Sequence, residues 1–338
     1  MATLARVRAL HESGRYSEAL PLAQEAVAAA TALGDRAVQF RALTAMGHVL
    51  RASGDFEGAL NLHGAALKLA ESYWHHDDMA LGWNNIGVIF QVGSAWELAI
   101  ECFARVTDQA PLNSTPAAYL ARVNMALCYM HLGDEAAGLP EAETALGLEE
   151  SPTCPKTIYT SLLLRHAYVQ MALKSERLTP ETIRTHAAAA AALGNPDGDP
   201  RCAILQALIS GSLTVAYGDR EAGITTLEGA RAIAQQVPDM VADTLACLID
   251  AEKLAGRPGR AQQYLAEWLK HVYHDANWQA LQKLNLRSLS AVGETLEILW
   301  YELTLNNQPP PYPYSGTERP TLLPAGLIKT YLKLIDKL

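Results

Sequence analysis

One phrase recurs along this 338-residue chain, and it constrains the fold more than any other feature. Residues 46–60 and 86–100 each place a glycine inside a helical pattern (Gly47, Gly87). A turn follows, then an aromatic residue (Phe56, Trp96) and a small residue entering a second helix (Ala59, Ala99). The phrase returns in 126–139 around Gly133-Asp134 and in 211–224 around Gly218-Asp219. A degenerate copy opens the chain, with Gly14-Arg15-Tyr16 as the turn and Ala19 after it. The turn residues Gly14, Gly54, Ser94 and Gly133 stand 40, 40 and 39 positions apart. A period of this length belongs to arrays of helix pairs, in which one amphipathic pair cannot bury its apolar face alone and stacking supplies the core.

Two weaker units complete the register. One turns at Lys174 to Arg177, with Thr179-Pro180-Glu181 opening its second helix; the other turns at Gly256 to Gly259 before Arg260 to Val272. Seven helix pairs are thus expected from Met1 to about Val272. Gly47, Gly87, Ala126, Ala167 and Gly211 fall where the helices of a pair cross, where a larger side chain would push the backbones apart. The turn glycines are expected to stop the first helix in the left-handed conformation. Composition agrees with an all-α chain: hydrophobic residues make up 49% and aromatics 7%, and runs of strict polar–apolar alternation are almost absent.

The small residue, the Gly-Asp-aromatic turn and the following alanine resemble tetratricopeptide repeats over about four-fifths of the chain. The long period resembles the subclass found in kinesin light chains and in bacterial peptide-pheromone receptors and regulators. Gly138 and Gly223 depart from the pattern at the second small position, and the fifth unit lacks a turn glycine. The resemblance implies a right-handed superhelical solenoid of about seven such pairs with a C-terminal capping helix, and a protein that binds a partner.

The remainder divides further. Residues 1–305 read as the solenoid with its cap, the cap being a helical pattern over Ala276–Leu305. Residues 306–324 read as a linker, since Pro309-Pro310-Pro311-Tyr312-Pro313-Tyr314 cannot continue a helix. Residues 325–338 read as an amphipathic helix with Leu327, Ile328, Leu332 and Ile335 on one side and Lys329, Lys333 and Lys337 on the other. It is a candidate to dock on the solenoid or to join two subunits in a homo-oligomer.

A formal net charge of −9 argues against direct binding to nucleic acid, which needs a basic surface. No stretch approaches the roughly 18–20 apolar residues that span a bilayer. The first ten residues lack the hydrophobic core and cleavage pattern of a secretory leader, so a cytoplasmic chain away from membranes is expected. Cys102, Cys128, Cys154, Cys202 and Cys247 are widely spaced and suit reduced, mostly buried thiols. There is no phosphate-binding glycine loop, nucleophile elbow or His-Glu-x-x-His. His75-His76-Asp77-Asp78 carries metal-ligand types, but it reads as a solvated loop between repeats. No enzyme activity, cofactor or metal is expected.

The informative polar residues lie on the first helix of each pair, which lines the concave face in this architecture. The register gives Arg8 and His11, then Arg41, Thr44, His48 and Arg51, then Asn84, Asn85 and Gln91, then Asn124 and His131. Amides offer both a donor and an acceptor to an extended main chain. The resemblance implies that asparagines such as Asn85 and Asn124, at equivalent places in successive repeats, hold a ligand backbone. Farther along, Leu164, Tyr168, Met171, Leu208 and Val215 suggest an apolar pocket. The expected site is Arg8, Arg41, His48, Arg51, Asn84, Asn85, Gln91 and Asn124. The expected function is a peptide- or protein-binding module, the sensor or adaptor part of a bacterial regulatory system. Two alternatives stand beside it: an oligomeric assembly scaffold, and a regulator of transcription or signalling with an activity in its C-terminal third.

Overall fold

The computed structural model describes residues 2–274 apart from Ser94 and Glu176. The expected cap, linker and terminal helix (276–338), and with them the pairing of subunits, lie outside the described residues. Fourteen α-helices make seven antiparallel pairs: α1 (Ala2–Glu12) with α2 (Tyr16–Leu33), α3 (Arg36–Ala52) with α4 (Phe56–Ser72), and α5 (His76–Val92) with α6 (Trp96–Thr107). They continue as α7 (Pro116–Leu132) with α8 (Glu135–Leu148) and α9 (Ile158–Lys174) with α10 (Pro180–Ala192). The last two pairs are α11 (Pro200–Tyr217) with α12 (Arg220–Ala234) and α13 (Val241–Leu254) with α14 (Pro258–His274). Each second helix also packs on the next first helix, and successive first helices touch one another along one face. Over the described residues the fold is an all-helical solenoid of seven stacked pairs.

The Gly-Asp pair in the repeated turn has a division of labour. Gly133 ends α7 at φ 59°, in the region that side chains with a Cβ resist. Asp134 then caps α8, its carboxylate accepting from the Ala137 N–H at 3.0 Å, which satisfies one of the free donors of the first turn. Gly54 and Asp55 repeat the arrangement, Asp55 accepting from the Gly58 N–H at 2.8 Å. Gly218 departs from it. Its φ of −142° is not left-handed, and Asp219 performs the capping by accepting from two N–H groups of α12. In the fifth pair Thr179 caps α10, with Pro180 as the first helical residue.

The helix crossings explain the small residues. A Cβ at Gly47 would lie 2.7 Å from the His63 ring, and one at Gly87 would lie 2.5 Å from Phe103. At Gly211 the obstacle is Leu227, at 2.8 Å. Ala126 and Ala167, at the same place in their repeats, have no exposed surface. Gly138 and Gly223, which depart from the usual alanine, also sit at close approaches, to Met171 and to Val215 with the Gly211 carbonyl.

The core is uneven along the axis. Buried apolar residues from Tyr119 to Trp268 form one continuous cluster, while the first three pairs are held by several smaller, alanine-rich ones. The expected apolar pocket does not open in the second half. Leu164, Tyr168, Met171, Leu208 and Val215 are all buried in the large cluster, because the inner faces of α9 and α11 close on each other. Cys102, Cys128, Cys202 and Cys247 are buried free thiols, and Cys154 is partly exposed.

Candidate peptide-binding groove

The inner faces of α1, α3 and α5 enclose a groove of about 590 Å³. Arg8 and His11 reach it from α1, Arg41, Thr44 and His48 from α3, and Asp78 and Leu81 from α5, over an apolar floor that includes Val7 and Phe40. Because first helices run parallel in successive repeats, equivalent register positions come side by side. Three of the eight expected residues, Arg8, Arg41 and His48, therefore share this cavity. Arg8 and Arg41 are exposed at its rim, and the Arg41 Nε donates to the Ala37 carbonyl at 3.2 Å.

One turn beyond His48, Arg51 is partly exposed in the last turn of α3. It sits among imidazoles: the ring centroids of His11 and His48 are 6.4 Å apart, and those of His48 and His63 are 5.1 Å apart. Burial, followed by the neighbouring His63 and Arg51, pushes His48 down to about 3. Burial and then Arg51 push His63 down to about 4. His11 is lowered by burial and by Arg51, against an opposing influence of Glu12. At neutral pH the three rings are uncharged, and Arg51 supplies the positive charge of this corner. Among the described residues no group of three or more His, Cys, Asp or Glu has the geometry of a metal site.

The asparagines divide. Asn84 and Asn85 are both buried on α5. Asn124, on α7, donates from Nδ2 to the Asn84 Oδ1 at 3.2 Å, so this pair joins neighbouring repeats. Asn85 keeps a buried Nδ2 with no partner among the described residues. Gln91 is partly exposed near the end of α5, away from the side chains that line the cavity.

Two further residues, Asp78 in the groove wall and His63 buried behind it, are not singled out as site residues by the sequence. Asp78 belongs to the first turn of α5, because His75 caps that helix by accepting from the Asp78 N–H at 3.3 Å. Asp78 also accepts from the Tyr73 hydroxyl at 2.5 Å. His75–Asp78 is therefore the start of a helix and not a loop, although His75, His76 and Asp77 are solvent-exposed. His63 lies on the second helix of its pair, where its ring fills the space left by Gly47. A polar ring opposite a crossing glycine was the available signal.

Past α5 the inner face is occupied by its own side chains. His131 stacks on Trp96 with centroids 4.4 Å apart and planes 9° from parallel. It also approaches Asp243 of α13 at 3.5 Å. Lys174 of α9 pairs with Asp250 of α13 at 2.8 Å. These links cross two or three repeats on the concave side and leave the first three pairs as the open stretch.

Comparison with known proteins agrees with this architecture. Residues 1–72, which carry most of the groove wall, match the tetratricopeptide repeat family and are tetratricopeptide repeats. The whole described array is a solenoid of that type. Among solved structures, a Rap protein crystallised in complex with competence and sporulation factor superposes with a TM-score of 0.55 at 13% sequence identity, over 89% of this chain and 84% of the other. No curated protein sequence matches the chain. Among the described residues no helix is long and apolar enough to cross a membrane.

Proposed function

We propose that the chain is a peptide-binding module that holds an extended, acidic segment in the groove of α1, α3 and α5, and that it serves as the sensor or adaptor part of a bacterial regulatory system in the cytoplasm. One observation carries this reading. Two arginines, Arg8 and Arg41, line this cavity in a chain with net charge −9, Arg51 stands one turn beyond His48, and among the described residues none of the three pairs with a carboxylate. Elsewhere partly buried arginines are paired: Arg122 with Glu141, Arg165 with Glu149, and Arg231 with Glu267. A groove that keeps cations unpaired suits an anionic ligand, which such a surface also attracts at a distance. Asn85 adds an amide donor for a ligand main chain. The Rap protein of similar fold, crystallised with its bound factor, supports a binding role for an array of this kind.

The test is selection of a displayed random-peptide library on the immobilised full chain, with the Arg41→Glu variant as the comparison. Enrichment of acidic peptides by the wild type, lost in the variant, supports the reading. Enrichment that survives Arg41→Glu, or that favours basic peptides, contradicts it.

A further inference from the structure

The turns that join the first three helix pairs form one edge of the array, and two large apolar side chains stand out of it. Leu33, the last residue of α2, is 71% exposed, and Trp74, between α4 and α5, is 76% exposed. The two turns touch: the Arg36 Nη1 donates to the Ser72 carbonyl at 3.4 Å. Trp74 holds a left-handed backbone, φ 52°, and among the described residues it is the one non-glycine residue that does so. Gly34 takes this conformation at the equivalent place after the first pair, immediately before the residue that caps the next helix. A residue with a Cβ resists it, so the tryptophan is held in a costly conformation while its indole meets solvent. Tyr73 beside it is anchored: its side chain packs on the core with Phe40, and its hydroxyl donates to Asp78. Single exposed apolar residues are ordinary, but a tryptophan and a leucine on adjoining turns, ringed by charge, mark a surface that takes a partner.

We propose that this edge seats residues 325–338 of the same chain, their apolar side chains against Trp74 and Leu33 and their lysines over the acids of the two turns. Charge selects this occupant. The turns carry Asp35, Glu71, Asp77 and Asp78 against Arg36, whereas 325–338 carries Lys329, Lys333 and Lys337 against Asp336. At helical spacing Leu327, Ile328, Tyr331, Leu332 and Ile335 share one side of that segment, and an amphipathic stretch so short needs a surface to pack on. The proline-rich stretch 309–314 has no charge to match the acids. The length of chain suffices. The 50 residues 275–324 extend to roughly 170 Å, and the five repeats from the seventh pair back to the second, at about 10 Å each, come to roughly 50 Å. The edge adjoins the groove, since Asp78, which accepts from Tyr73, also lines the cavity. The seated segment stands beside the groove rather than in it.

The experiment uses the full chain with the photoreactive residue p-benzoylphenylalanine in place of Trp74, irradiated in dilute solution and mapped by mass spectrometry after digestion. Attachment to 325–338 within a single chain is the expected result. Attachment to 309–314, to a second chain, or to nothing overturns the assignment. Hydrogen exchange on the chain without the photoreactive residue gives the second readout. Amides of 325–338 should exchange at least about tenfold more slowly than those of an unstructured peptide of the same sequence, and Trp74→Gly should remove that protection. Glycine relieves the left-handed strain, so α3 and α4 should stay as protected as in the wild type, and the change at 325–338 is then not a loss of fold. Lys329→Glu combined with Lys333→Glu should act as Trp74→Gly does, and high salt should weaken the protection. Protection of 325–338 that survives both sets of substitutions overturns the proposal, as does free exchange of these residues in the wild type.

Discussion

Asn124 donates a hydrogen bond across 3.2 Å to the carbonyl oxygen of Asn84, tying two successive repeats through side chains 40 positions apart in sequence. The neighbouring Asn85, buried on the same helix, has no partner for its amide nitrogen among the described residues. Asparagines that look alike in the repeat register therefore have different duties.

Asn124→Ala should destabilise the array by about 1–3 kcal/mol, since it strands the buried Asn84 carbonyl. Combined with Asn84→Ala it should show coupling of about 0.5–1.5 kcal/mol in urea denaturation. Asn85→Ala should change stability by less than about 1 kcal/mol but weaken peptide binding by about two- to tenfold. A melting temperature indifferent to Asn124→Ala would mean that the inter-repeat bond is not made in solution.

The crossing glycines should separate from the open ones. Gly87→Leu, driven into Phe103, should cost about 1–3 kcal/mol or more, and Gly47→Ala should disturb the His63 ring. Gly64, in the middle of α4, has nothing within 4 Å of a built Cβ. Gly64→Ala should stabilise by about 0.5–1 kcal/mol. Thermal melts of the three variants check this ordering, and equal effects at Gly64 and Gly87 would refute the crossing geometry.

Acid should loosen the fold through its buried imidazoles. His63 and His166 are both 1% exposed and both held near 4, His63 by burial and then Arg51, His166 by burial and by the nearby His131 and Lys174 against the pull of Asp243. A histidine whose folded pKa lies below its unfolded value of about 6.5 takes up protons preferentially when unfolded. Its stabilising contribution is complete above that unfolded value and is lost as pH falls from about 6.5 toward 4. The melting temperature should therefore drop between pH 7 and pH 5, and His166→Gln should flatten the drop. A flat profile over that interval would show that these rings are not buried in neutral form.

Much of this molecule was legible in its sequence, for a physical reason. The positions of Gly47, Gly87 and Gly211 and the turns after them repeat because every pair solves the same packing problem, so the seven pairs and the cavity residues Arg8, Arg41 and His48 follow from register alone. Register says which face a side chain is on, but not how closely the inner faces of neighbouring repeats approach. For that reason the side chains of Tyr168 and Met171 were assigned to a pocket and are core. The link from His131 to Asp243 spans three repeats and depends on the curvature accumulated between them, which no local pattern records. Asp78 was lost through a helix boundary: recognising His75 as a cap moves it from loop to groove wall.

A cross-linking map tests the groove most directly. An acidic peptide selected on the full chain, carrying one benzophenone residue, would be irradiated in complex and its attachment points located by mass spectrometry. Attachment to α1, α3 and α5, on residues such as Leu4, Ala45 and Leu81 that line the cavity, and competed by the unlabelled peptide, is the expected result. Attachment confined to the second helices of the pairs, or to 158–274, would contradict the placement of the binding site.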